Sequence, residues 1–246
     1  MLIVGNWKTY VETVTKAKAL LTNAKRIVAK GGNEIVIAPP APYLGVLFAG
    51  KSKVGFASQD ISLASRGAAT GETTATMLTS LGVTYAIVGH SERRAKGETD
   101  ALVTEKVRHA LTNRIIPILC IGELTRDPDG KYLKRIREEV STVYASLTPS
   151  ERSKVVVAYE PVWAIGKASG DAIDAADLYE MVLYIRKVLG DFMPAKTAGK
   201  VRVLYGGSVE PGNARILAAG SGINGFLVGR ASTEADTFTA LVKAVS

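Results

Sequence analysis

Glu160 lies within Tyr159-Glu160-Pro161-Val162-Trp163-Ala164-Ile165-Gly166, directly after the apolar run Val155-Val156-Val157-Ala158. Such a β-branched run reads as a buried strand. Pro161 ends it, because proline lacks the ladder donor and fixes its own φ. It also holds the residue before it in an extended conformation. A carboxylate is therefore presented at the root of a loop whose next residues, Val162, Trp163, Ala164 and Ile165, are all apolar. A loop of that character covers something, and a carboxylate beneath it is stripped of water and becomes a stronger base. Taken alone, the motif is equally compatible with a surface salt bridge beside an inward-packing loop.

Three further polar groups follow short apolar runs in the same way. Asn6 and Lys8 end the run that begins at Leu2, and His90 follows Tyr85-Ala86-Ile87-Val88-Gly89. Each has an ordinary alternative: a solvated lysine, an asparagine satisfying backbone groups, a histidine capping the helix after it. The other histidine, His109, falls inside an amphipathic helix and reads as structural. Two glycine turns, Gly206-Gly207-Ser208 and Gly229-Arg230, also follow apolar runs. Their backbone N–H groups are unobstructed by large side chains, Arg230 excepted, and such nests bind phosphate.

The elements that must position these groups alternate regularly. Strands are predicted at Leu2–Trp7, Glu34–Ala38, Val54–Ser58, Tyr85–Val88, Ile115–Cys120, Val155–Tyr159, Val201–Tyr205 and Gly225–Val228. Helices are predicted at Val14–Lys30, Tyr43–Ala49, Thr73–Leu81, Asp100–Asn113, Lys131–Ser146, Asp174–Leu189, Asn213–Ala219 and Thr233–Val245, and Pro149-Ser150 reads as punctuation. Val/Ile strands alternating with helices imply a parallel α/β sheet, and eight such units close into a (β/α)8 barrel. An open doubly wound sheet would carry a glycine-rich fingerprint after its first strand. That strand ends instead in Asn6-Trp7-Lys8. With no linker or break in composition, residues 1–246 form one domain. In a barrel the C-terminal strand ends share one face, so Asn6, Lys8, His90, Glu160 and the two glycine turns meet there, and the turns after the last two strands are the usual phosphate site.

Composition bounds the reading. The chain has 246 residues, 47% of them hydrophobic, enough for one large core. Its formal charge is +8, but basic residues are interspersed with acids rather than clustered, so neither nucleic acid nor a membrane surface is expected as a partner. The single cysteine, Cys120, cannot form an internal disulfide, which fits a reducing, cytoplasmic compartment. No run reaches membrane-spanning length, and the N-terminus lacks a signal-peptide layout.

The same residues resemble the triosephosphate isomerase family over essentially the whole chain. The resemblance rests on Asn6-Trp7-Lys8, Ala86 to Arg94 (with Gly-His-Ser-Glu-Arg-Arg at its centre), Ala158 to Gly166, Tyr205-Gly206-Gly207-Ser208-Val209 and Gly225-Phe226-Leu227-Val228-Gly229. It implies a glycolytic and gluconeogenic isomerase of triose phosphates that needs no metal or organic cofactor. Glu160 would be the base and His90 the neutral electrophile, with Lys8 and Asn6 holding substrate oxygens. The backbone N–H groups of Gly166, Ser208, Gly229 and Arg230 would hold phosphate, and Pro161 to Ile165 would form a mobile lid with Trp163 at its tip. Glu92 would be a buried supporting acid and Cys120 a packed thiol. A homodimer is implied, built through the loop Gln59–Glu72 with Thr70 inserting into the partner. The chain departs from the family pattern at Tyr10, where asparagine is usual, at Arg230, where a second glycine is usual, and at Lys167-Ala168-Ser169-Gly170-Asp171, which replaces the common Thr-Gly-Lys hinge. Two other readings stay open on the residues themselves: a different barrel enzyme acting on a phosphorylated sugar, and a noncatalytic anion- or RNA-binding protein.

Overall fold

The computed structural model describes residues 1–48, 52–166 and 173–246. The strands β1 (Leu2–Asn6), β2 (Glu34–Ala38), β3 (Gly55–Ser58), β4 (Tyr85–Val88), β5 (Ile116–Ile121), β6 (Val156–Tyr159), β7 (Val203–Tyr205) and β8 (Gly225–Val228) form a closed parallel barrel in chain order. β8 pairs with β1 in the register Leu2 to Gly225 and Gly5 to Val228, which closes the ring. The (β/α)8 architecture read from the sequence is therefore the observed one.

Around the barrel run α1 (Val14–Ala29), α2 (Ala41–Leu47), α3 (Ala75–Ser80), α4 (Ser91–Arg94), α5 (Asp100–Thr112), α6 (Lys131–Ala145), α7 (Pro149–Arg152), α8 (Ala175–Gly190), α9 (Ala195–Ala198), α10 (Pro211–Gly220) and α11 (Ala235–Ala244). Thr13, Thr74, Thr99 and Asp174 cap four of these, each side chain accepting a first-turn N–H. Pro149-Ser150, read as punctuation, instead opens α7. Thr148 and Glu151 form a capping box there, and proline suits the first helical turn, where its missing N–H has no partner to lose. The four-residue α9 also lies outside the predicted elements. It starts after Pro194 and is too short to show an apolar period.

Side chains alternate across each strand, and both faces are apolar. Leu2, Val4, Val36, Ala38, Ala57, Ile87, Ile118, Cys120, Val156, Ala158, Leu204 and Leu227 fill the barrel interior. Ile3, Ile35, Ile37, Val88, Leu119, Ile121, Val157, Val203, Phe226 and Val228 pack outward against the helices. Two-sided burial of this kind is why the strands read as continuous Val/Ile runs and not as alternating patterns. Below the interior core, at the N-terminal strand ends, Tyr85 donates a hydrogen bond to Glu34 at 2.5 Å, and Arg202 bridges both, at 2.9 Å to Glu34 and 3.1 Å to Tyr85.

The loop 59–72 follows the C-terminal end of β3, with Ile61 and Ser62 buried and residues 65–68 and 70–72 exposed. Its base is closed by the Ser62 N–H donating to the Thr73 carbonyl at 3.1 Å, and its tip carries Thr70, exposed, before Gly71 at φ +89. Among the described residues no helix is long and apolar enough to cross a membrane.

Barrel closure leaves no room beside Gly225, where an added Cβ would overlap the Leu2 carbonyl oxygen. Gly225→Ala is therefore expected to destabilise the protein by at least the ~1–3 kcal/mol of ordinary overpacking. Urea unfolding followed by circular dichroism checks this, and an unchanged midpoint would contradict it.

Candidate active site

The inward parity of the strands builds the site. Leu2 and Val4 point into the barrel, so Asn6 is the next inward residue of β1 and sits over the core, 4% exposed. Val156 and Ala158 do the same in β6, which makes Glu160 the next inward position, 2% exposed. In β7 and β8 the corresponding positions after Leu204 and Leu227 are Gly206 and Gly229. Their missing side chains leave room: a Cβ on Gly206 would lie 2.7 Å from the Glu160 Cγ. The result is a cavity of about 550 Å³ lined by Asn6, Lys8, His90, Glu160, Gly166 and Ser208, with Gly229 and Arg230 on its far wall. Every sequence-predicted catalytic and phosphate-binding residue thus borders one cavity.

His90 is the N-cap of α4, and its Nδ1 accepts the Glu92 N–H at 3.1 Å. The capping role and a catalytic role are therefore compatible, and the first defines the second. With Nδ1 occupied as an acceptor, the ring proton resides on Nε2, which lies 3.3 Å from Glu160 Oε1. The other carboxylate oxygen, Oε2, accepts the Ser91 N–H at 3.2 Å. Glu160 is held from its backbone as well, its N–H donating to the Ile121 carbonyl at 2.7 Å.

Lys8 adopts φ +47, left-handed for a non-glycine residue and strained. Two contacts hold it there. Its N–H donates to Asn6 Oδ1 at 3.1 Å, and its carbonyl accepts Gln59 Nε2 at 3.0 Å. Nζ then reaches Glu92 Oε1 at 2.7 Å. The expected burial of Glu92 does not hold in the single chain. Its side chain is 59% exposed, because the short helix α4 turns it out to the rim. Burial pushes this carboxyl up, but the hydrogen bond and charge of Lys8 outweigh it and hold the group below its usual range. At that exposure an ion pair adds only ~0–1 kcal/mol, so the pair serves mainly to aim the ammonium.

The segment expected to form a lid begins as a single tight turn, Val162–Ala164, entered from Pro161 and left at Ile165. Ser208 Oγ donates to the Ala164 carbonyl at 2.8 Å, tying this turn to the loop after β7. Gly166 follows at φ +73, a conformation open to glycine. The altered hinge, 167–171, lies outside the described residues. After β8, the glycine turn at Gly229 leads directly into one short 3-10 turn, Arg230–Thr233. Ser232 and Thr233 tighten it by donating to the Gly229 and Arg230 carbonyls at 2.7 and 2.8 Å.

Three neighbours of the site carry no strong sequence signal. Glu123, 2% exposed, accepts from the Tyr159 hydroxyl and from Trp163 Nε1, both at 2.8 Å, and so ties the turn at Trp163 to the end of β6. Burial, with the charge of Glu123, drives the Tyr159 hydroxyl far above its usual range. Glu123 follows the end of β5 by two residues, so its strand-end position was the available clue. Gln59 is the residue immediately after β3. Ser91 acts through its backbone, which no side-chain pattern reveals. Cys120 is 1% exposed, and burial together with the charge of Glu160 pushes its thiol well above the usual range, so it is a packing group. Among the described residues no group of three or more His, Cys, Asp or Glu side chains is placed to hold a metal ion.

The family model for triosephosphate isomerase matches residues 1–245. The chain is 40% identical over 245 residues to the triosephosphate isomerase of Moorella thermoacetica, covering 98% of this chain and 97% of that protein. It is 38% identical over 250 residues to that of Roseiflexus castenholzii, covering 100% and 97%. To that of Thermus thermophilus it is 40% identical over 247 residues, covering 99% and 98%.

The acceptor role of His90 Nδ1 sets an expected spectrum. Ring ¹⁵N shifts at neutral pH should report a neutral imidazole with its proton on Nε2, with and without a bound phosphorylated analogue. A doubly protonated ring in the complex would contradict the geometry.

Proposed function

Because the chain belongs to the triosephosphate isomerase family, and so is an isomerase of that family, we propose that it interconverts dihydroxyacetone phosphate and D-glyceraldehyde 3-phosphate, as a step of glycolysis and gluconeogenesis in the cytoplasm. The observation that carries this reading is the meeting of one carboxylate, one Nε2–H imidazole and one ammonium in a cavity whose opposite wall is glycine backbone.

Glu160 removes a proton from the carbon beside the carbonyl and returns it to the neighbouring carbon. In the structure its carboxylate faces His90 and the Ser91 N–H. Substrate exchanges those contacts for its own polarised oxygens, leaving the carboxylate free to reach the carbon. Charge develops on the oxygens of an enediolate, and fixed donors aimed there lower the barrier more than they tighten the ground state. His90 Nε2–H and Lys8 Nζ are those donors, and Asn6 keeps Lys8 in its left-handed conformation. A neutral imidazole suits the task, since no buried cation has to be maintained. The N–H groups of Gly166, Ser208, Gly229 and Arg230 take the phosphate, and the guanidinium of Arg230 adds a positive charge to that wall. Val162, Trp163 and Ile165 close over the substrate and exclude water, which protects the enediolate from losing phosphate.

The protein acts in this reading as a homodimer. The loop 59–72 presents Thr70 beyond the barrel face, and the exposed side chains of Tyr10, Val46 and Met77 belong to the neighbouring segments after β1, β2 and β3. A partner loop seated at that rim would cover Glu92 and bring it to the buried state its family role implies.

Glu160→Gln should leave a folded protein that still binds inorganic phosphate, with turnover reduced by roughly 10²–10⁴, the contribution of a positioned base. A coupled assay free of contaminating isomerase checks it, and near-wild-type turnover would remove the base assignment. Thr70→Arg should bury an unpaired charge in the subunit contact. Dimers should then dissociate on dilution into the micromolar range, with activity falling in step. A variant that stays dimeric and fully active by light scattering and assay would place the interface elsewhere.

A further inference from the structure

Four charged side chains behind the catalytic pair are absorbed by none of the roles above. Arg94, at the end of α4, donates through Nη1 to Asp100 Oδ1 at 2.5 Å. Arg135 on α6 spans Asp100 Oδ2 at 2.8 Å and Glu139 Oε1 at 2.7 Å. Glu139 is 1% exposed and lies 3.5 Å from Arg94 Nε. Two guanidinium groups and two carboxylates thus close on one another with no net charge.

Their remaining hydrogen bonds go to three peptide units: Arg94 Nη2 donates to the Cys120 carbonyl at 3.4 Å, and the other two lie beside the catalytic pair. Glu139 Oε2 accepts the Gly122 N–H at 2.8 Å. That N–H shares its peptide plane with the Ile121 carbonyl, which accepts the backbone N–H of Glu160 at 2.7 Å. Arg94 Nε donates to the Gly89 carbonyl at 2.8 Å. That carbonyl shares its plane with the N–H of His90. One ion cluster therefore grips the peptide that carries the base and the peptide that leads into the electrophile.

Packing alone does not hold the base from this side. Beyond Glu160, away from the catalytic cavity, lies a second cavity of about 530 Å³ bounded by Cys120, Gly122, Arg94, Arg135 and Glu139. The base has open space at its back, so its position depends on the backbone. That backbone has no slack at Gly122, where an added Cβ would overlap the Glu160 carbonyl. Burial pushes the Glu139 carboxyl above its usual range against the pull of both arginines, so the chain maintains this carboxylate at a cost in the folded state. A polar group retained against such a cost fits a geometric duty.

We propose that Glu139 is a positioning residue. Through the Ile121–Gly122 peptide, and through Arg94 to the Gly89–His90 peptide, it sets the separation of Glu160 and His90 in the isomerase reaction, on which this role rests. The phosphate-binding backbone on β7, β8 and the lid lies outside the cluster, so the two functions should separate on mutation.

The test compares Glu139→Ala and Glu139→Gln with the wild type. The alanine variant should lose about tenfold to a hundredfold in kcat, the cost of a misplacement on the order of 1 Å. Its inhibition constant for inorganic phosphate should stay within about twofold, because ground-state phosphate contacts are untouched. The glutamine variant keeps an acceptor for Gly122 and should recover kcat to within about fivefold of wild type. Ring ¹⁵N spectra supply a readout independent of turnover: His90 should shift or broaden in the alanine variant while His109, outside the cluster, stays put. Where the alanine variant does not fold, Arg94→Lys, which keeps the charge but cannot span Asp100 and Gly89 together, should give the same His90 change and the same loss in kcat. A folded variant with wild-type kcat and an unmoved His90 signal would overturn the proposal, as would equal losses in kcat and phosphate binding. Wild-type protein inactive on triose phosphates would instead sink the proposed reaction, leaving the clamp to stand or fall on the His90 spectra.

Discussion

The hydrogen-bonded ladder between β8 and β1 is the contact on which the rest of the molecule depends. An open sheet of eight parallel strands would spread its C-terminal ends along an edge. Closure brings those ends around one axis, so groups at residues 6, 90, 160, 206 and 229 come to share one cavity. Closure also demands close backbone approach, which is why β8 begins with a glycine lying directly against Leu2.

Within that ring the period of two does the aiming. An inward residue two positions beyond the last core side chain is carried onto the top of the barrel, whatever its chemistry. Asn6 and Glu160 use that position to present functional groups, whereas Gly206 and Gly229 use it to leave space. The same constraint explains how a charged residue can be almost fully buried at a strand end. Glu160 is 2% exposed, and both of its oxygens face donors.

Backbone groups, more than side chains, set the electrostatics of the site. The Glu92 N–H selects the tautomer of His90, the Ser91 N–H holds the Glu160 carboxylate, and the turns after β7 and β8 border the same cavity. Side-chain ion pairs act mainly by orienting these elements. The exposed Lys8–Glu92 pair aims an ammonium, while the Arg94–Asp100–Arg135–Glu139 cluster, of which Glu139 alone is fully buried, hydrogen-bonds the backbone behind Glu160 and His90. Backbone dipoles held in a rigid barrel need little reorganisation as charge develops beside them.

The alternation of Val/Ile runs with helical segments was legible in the order of residues, because parallel strands buried on both faces leave an uninterrupted apolar signature. Strand-end groups such as Glu160, His90, Asn6 and Lys8 were legible for the same reason, since each abuts such a run. The helices at 149–152 and 195–198 were not, because one turn of helix is too short to show a period. The exposure of Glu92 and the hydrogen bonds of Glu123 to Tyr159 and Trp163 were also hidden, whereas the cap at His90 was one of two readings its position allowed. Each depends on an atom far along the chain or on a backbone N–H with no side-chain signature. By itself the sequence determined which elements form and which polar groups stand at their ends, since those follow from local periodicity and backbone restriction. Only the tertiary structure decided which way each group faces and what grips it, because those contacts join residues as distant as 8 and 92, or 91 and 160, and arise when the ring closes.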